Sequence, residues 1–135
     1  MDGWIAPTIG YIVLLGASGV TAKLALRTIT WEQLVLWVPV LYFVIALGLV
    51  LFKGTSFPLG GGGAWAVATA FGVSSALILF FYALTKGPAS QVTPATSAYP
   101  IVTVIGSAVF LSEKLTLVRG LGTALVVAGV VLLSK

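Results

Sequence analysis

Five apolar runs of about 20 residues, set apart by short clusters of charged and turn-forming residues, leave this chain almost no choice of fold. A helix of about 20 residues crosses about 30 Å of hydrocarbon. Backbone polar groups at that depth must be satisfied by the protein itself, and runs of this length, about twice that of a membrane strand, do so as helices. The rest of the composition agrees: 59% of the 135 residues are hydrophobic, 7% are charged, and the mean hydropathy is +1.16. A water-soluble domain carries about 25% charged residues. The expected fold class is therefore all-α, a polytopic membrane protein with five transmembrane helices in one domain over residues 1–135. Its first partner is the lipid bilayer.

The same composition excludes much chemistry. With no Cys and no His, there is no thiolate or imidazole for catalysis or for most zinc and haem sites. Three acidic residues in all leave little for carboxylate catalysis or a paired-metal centre, so we expect no enzyme, no metal and no cofactor. The net charge of +4 comes from cations placed singly between apolar runs, which is not a nucleic-acid patch. These cations read as interfacial anchors. Met1-Asp2-Gly3-Trp4 lacks the basic region of a signal peptide, so the first run is expected to stay in the protein.

In order, the helices are expected over about 4–22, 33–52, 64–84, 90–112 and 116–134. Thr30-Trp31-Glu32-Gln33 has the form of a capping box, with Thr30 as N-cap. The run 54–63 contains four consecutive glycines but no following Lys-Ser/Thr, so it reads as a flexible linker and not a phosphate loop. Gly87 suits a left-handed cap, and Pro88 cannot continue the third helix. Glu113-Lys114 reads as a tight turn, Thr116 as the last N-cap and Lys135 as a terminal anchor. Trp4, Trp31, Trp37 and Trp65 fall near helix ends, where an aromatic belt is expected. An odd number of spans puts the termini on opposite faces. Lys53, Lys114 and Arg119 then face one side, and Lys23, Arg27, Lys86 and Lys135 the other. Three cations against four barely orient a chain, which leaves a weak single orientation and dual insertion both open.

Polar residues recur on three of the helices. Thr93, Thr96, Ser97, Pro100, Thr103 and Ser107 lie at steps of three and four, so on one helix they share a face. The first helix carries Tyr11, Ser18 and Thr21, and the third carries Ser75 and Tyr82. Hydroxyls in membrane helices often bond their own preceding carbonyls, so helix packing is the plainer reading of any one of them. Three such stripes in so short a chain point to a shared polar cavity. Pro100 lacks an N–H and is expected to kink the fourth helix and free the carbonyl of Thr96. Thr96, Ser97, Tyr99, Pro100 and Thr103 are then candidate substrate-binding residues, with Tyr11, Ser18, Thr21, Ser75 and Tyr82 opposite. No charge falls inside a span, which argues against carboxylate-coupled proton antiport. Gly120, Ala124 and Ala128 repeat every four residues and are candidates for close helix packing, within the subunit or across a dimer.

Residues 87–134 resemble the last two helices of an EamA-like domain of the drug/metabolite transporter superfamily. The matching features are Gly87-Pro88-Ala89, Tyr99-Pro100, Phe110-Leu111-Ser112-Glu113-Lys114-Leu115 and the Gly-rich last helix; Gly19–Leu26 is similar to the end of the family's first helix. Most such transporters contain two five-helix units related as inverted repeats, and this chain has one. The resemblance thus implies a half-size transporter acting as an antiparallel homodimer, and a prokaryotic inner membrane as its location. It also implies a cavity lined by the first, third and fourth helices, with unit packing through the last. The expected function is secondary transport, in the export direction, of a small metabolite by alternating access. A non-transporting subunit, or half of a heteromeric lipid-carrier flippase, is the alternative. The related small multidrug resistance proteins carry an essential acid in their first helix; here that helix has none, which sets a cation exporter third.

Overall fold

The computed structural model describes residues 3, 5–57, 60–114 and 116–133. Trp4, Leu115, Ser134 and Lys135, to which the sequence assigns belt, motif and anchor roles, lie outside the described residues, as do Met1, Asp2, Pro58 and Leu59. The described chain is helical without a strand and divides into two compact units, residues 1–86 and 87–135.

The first unit consists of α1 (Ile5–Ala25), α2 (Trp31–Lys53) and α3 (Gly61–Lys86), with α3 touching both of the others. Thr30 caps α2 in extended backbone. Its hydroxyl accepts from Gln33 N–H at 3.3 Å, and the Gln33 side chain accepts from Thr30 N–H at 2.9 Å. With Thr30 as N-cap the helix begins at Trp31, two residues ahead of the expected start. At its other end Gly54 takes φ 63°, and its N–H bonds the Val50 carbonyl at 3.1 Å. Left-handed backbone at a helix end is where glycine costs least.

Two expectations about glycine are corrected here. The left-handed cap is Gly54 and not Gly87; Gly54 is the glycine with positive φ among the described residues. The glycine run is also not all linker, because α3 starts at Gly61 and takes up its last three glycines. The reason is length: a long apolar segment that crosses a bilayer as a single span satisfies its own backbone by being helical, which outweighs glycine's weak propensity in the first turn.

α3 runs on to Lys86, and its end is solved from a distance. The Leu84 carbonyl would normally accept from the N–H four residues on, but that residue is Pro88, which has none. Lys23 Nζ of α1 donates to it instead, at 2.5 Å. At this level Gly19 and Ala22 of α1, and Phe81 and Leu84 of α3, are buried, so small α1 residues let a cation reach the α3 terminus.

The second unit holds α4 (Ala89–Thr96), α5 (Pro100–Phe110) and α6 (Leu117–Leu133), with α6 touching both α4 and α5. The fourth expected span, continuous and kinked at Pro100, is instead two helices joined by a turn at 97–99. Thr116 caps α6, its hydroxyl accepting from Arg119 N–H at 3.3 Å. At 17 residues α6 rises about 25 Å, whereas the other spans have 21 residues or more and rise about 31 Å or more. The remaining four, with 89–110 counted as one, are long and apolar enough to cross a membrane.

Ala22, Phe81 and Leu84 are the buried hydrophobic side chains among the described residues, while Phe52, Leu36 and Phe110 stand bare. Water would not tolerate such a surface; lipid does.

Candidate functional site

In the first unit the polar positions of α1 and α3 lie along the helices, and all but one are exposed. The Ser18 hydroxyl donates to Leu15 O at 2.7 Å, and Thr21 to Ser18 O at 3.1 Å. Tyr11 is 53% exposed on the same helix. Ser75 is half-buried on α3, and Tyr82, seven residues later, shares its face. Thr85 donates back to Tyr82 O at 2.6 Å.

Tyr82 is the centre of a cluster that the sequence reading did not assemble. The Trp31 ring meets it edge-on, with centroids 5.7 Å apart and planes at 78°. Lys86 Nζ stands 5.3 Å from its ring centroid. The Tyr82–Lys86 spacing of four residues on one helix could have been read from the sequence. Trp31 could not, because its approach depends on how α2 meets α3. The consequence is chemical: a cation drawn to the Tyr82 face has to compete with Lys86.

In the second unit the candidates gather around the turn between α4 and α5. A helix pairs each carbonyl with the N–H four residues on. Here Ser97, Ala98, Tyr99 and Ile101 N–H instead bond Pro94, Ala95, Thr96 and Ala98 O, three residues back, at 3.0–3.3 Å. Such bonds tighten the chain into a 3₁₀-like turn. The expectation that Pro100 frees the Thr96 carbonyl is corrected: Tyr99 N–H takes it, at 3.3 Å. The sequence reading also missed Pro94, which lies inside α4 and removes the donor for the Ser90 carbonyl. Two prolines six residues apart were the available signal. Because the helix is broken between them, the polar stripe divides. Thr93 and Thr96 belong to the end of α4 and Ser97 to the turn that follows it, whereas Pro100, Thr103 and Ser107 belong to α5.

The hydroxyls here also turn inward on their own chain. Thr96 and Ser97 both donate to Thr93 O, at 2.7 and 3.3 Å, Thr103 to Tyr99 O at 3.5 Å and Ser107 to Val104 O at 3.1 Å. A hydroxyl has one proton and two lone pairs, so these stripes offer acceptors to a visitor while their donors are engaged. Tyr99 stands exposed in the turn, and its carbonyl takes the Thr103 N–H at 3.2 Å. Charges stay at helix ends: Glu32 in the first turn of α2, Lys23, Lys53 and Lys86 in the last turns of α1, α2 and α3, and Glu113 beyond α5. No group of acidic residues that could hold a metal ion occurs among the described residues.

Gly120, Ala124 and Ala128 of α6 face α5 across an open apolar groove, opposite Ile101, Val104 and Ile105.

Residues 4–135 match the EamA-like transporter family. The chain is also 43% identical, over 70 residues, to an uncharacterized protein of Methanocaldococcus jannaschii; the match covers 52% of this chain and 51% of that one. The chain thus spans about half the length of this relative in the matched stretch. No solved structure matches it.

Proposed function

The chain belongs to the EamA-like transporter family, and on that premise we propose that it moves a small, uncharged or zwitterionic metabolite outward by alternating access, through a cavity between two antiparallel copies. That it is a multi-pass membrane transporter of the drug/metabolite superfamily follows from the family and from its apolar helices. The observation that carries the finer reading is the character of the polar stripes. Ser18, Thr21 and Thr96 present hydroxyl lone pairs with no charged residue at mid-helix, as does Thr103, although Thr103 also borders the charged turn after α5. A neutral lining of acceptors suits a ligand rich in hydroxyl or amine donors, and it gives a permanent ion no partner.

In this reading Tyr11, Ser75, Ser97 and Tyr99 also contribute to the cavity between the two copies. The 97–99 turn and Pro100 act as the hinge. Bonds of the three-residue kind are weaker and fewer than in a regular helix, so the segments on either side can reorient at low cost. Two antiparallel copies restore the inverted pair that alternating access needs, and the nearly even split of basic residues permits both orientations.

Purified protein in liposomes, offered a broad panel of hydroxylated and zwitterionic metabolites under an imposed pH or potential gradient, tests the proposal. Uptake of at least one, saturable and reduced by Thr96→Val with Thr103→Val, is expected. No movement of any solute, with the protein folded in the vesicles, refutes it.

A further inference from the structure

Two hollows of opposite character meet at Val104 in the second unit. One is the open groove between α5 and α6, of about 450 Å³, walled by Ile101, Val104 and Ile105 on one side and Gly120, Ala124 and Ala128 on the other. The second, of about 360 Å³, lies at the turn joining the same two helices. It is lined by Thr103, Ser107, Glu113, Lys114 and Arg119 as well as Val104. The turn that shapes it is a backbone feature. Ser112 adopts φ 54°, and both Leu111 and Glu113 N–H return to the Ser107 carbonyl, at 3.0 and 3.3 Å. This places Glu113 and Lys114 beside the first turn of α6, where Arg119 projects.

From Gly120 to Ala128 the apolar wall rises about 12 Å along α6. The charged hollow therefore sits where a span leaves the hydrocarbon, and the groove runs from it into hydrocarbon depth. Among the described residues neither Lys114 nor Arg119 forms an ion pair, even though Glu113 lines the same hollow. Two cations and one carboxylate give the mouth a net positive charge together with an acceptor.

We infer that this joined site holds one anionic phospholipid of the bilayer, with an acyl chain in the α5–α6 groove and its phosphate on Lys114 and Arg119. Glu113 accepts from hydroxyls of the head group, so a glycerol-type head fits better than a choline. Charge complementarity at the mouth selects the head, and the apolar wall selects a chain over a free anion. Thr103 borders both this hollow and the proposed transport lining, but the inference rests on Lys114, Arg119 and the apolar wall and not on what the protein transports.

The test is native mass spectrometry of the full chain, released from detergent after incubation with equal amounts of phosphatidylglycerol and phosphatidylcholine. Preferential retention of phosphatidylglycerol is expected, lowered about fivefold by each of Lys114→Gln and Arg119→Gln, with phosphatidylcholine unchanged and Lys114→Arg restoring the preference. Ala124→Phe, which fills the groove, should lower retention of phosphatidylglycerol, and inorganic phosphate should not displace it. Equal retention of the two lipids, or indifference to both Gln substitutions, overturns the proposal. Displacement by inorganic phosphate would make the mouth a free-anion site, which also overturns it. So would Ala124→Phe shifting the oligomer distribution while lipid retention stays intact, since the groove would then belong to a second copy.

Discussion

Replacing Lys23 with Met tests the bond by which α1 reaches the end of α3. Met keeps an unbranched stem of similar length and removes only the ammonium. The Leu84 carbonyl then faces Pro88 four residues on, which cannot donate, and loses the Nζ partner at 2.5 Å. A hydrogen bond to a charged group contributes about 1.5–3 kcal/mol. Lys23 is half-buried, so water can partly replace the lost donor, and about 2 kcal/mol is the expected loss. Lys86→Met supplies the internal reference. Its ammonium stands 5.3 Å from the Tyr82 centroid and is exposed, and an exposed cation–π contact contributes about 0.5–1 kcal/mol. Equilibrium unfolding in mixed dodecylmaltoside and SDS micelles, followed by tryptophan fluorescence, measures both. Lys23→Met should cost at least twice what Lys86→Met costs, and Lys23→Arg should recover most of it. If Lys23→Met is no worse than Lys86→Met, the account of how α3 ends is wrong.

Gly54→Ala should destabilise by about 1 kcal/mol in the same assay, because φ 63° suits glycine alone at low cost; a neutral result would mean that the backbone relaxes out of the left-handed region. Pro100→Ala restores an N–H and should slow amide exchange at 97–99 at least about tenfold as the turn becomes regular helix; unchanged exchange would put the break under the control of Pro94. Lys53→Cys in a chain with no native cysteine should react with an impermeant thiol reagent from both sides of the membrane; labelling from one side only would refute the antiparallel pair.

Much of the fold is legible in the sequence. The helices over Ile5–Ala25, Trp31–Lys53 and Gly61–Lys86 form along the first three apolar runs because unbroken apolar length is itself the physical requirement for crossing hydrocarbon. The capping box at Thr30 and the N-cap at Thr116 were legible because a cap is a local event, settled by residues three apart. Gly87 and the glycine run depart from expectation for the converse reason. Whether a glycine lies in a cap, a linker or a first turn depends on how long the neighbouring helix is. The polar residues could be found by their spacing, but not by what their protons were doing.

The division between sequence and structure runs through the segment 93–107. Its amino acids alone determined that it would be apolar, carry hydroxyls at steps of three and four and depart from regular helix near Pro100, since proline's missing donor is a covalent fact. The tertiary structure decided what the interruption became. Tyr99 N–H took the carbonyl that Pro100 would have orphaned, and three-residue bonds split one span into α4 and α5. It also decided that Lys23, 61 residues away in the chain, would close α3. Local chemistry names the unsatisfied group; only the packed chain determines which donor is close enough to satisfy it.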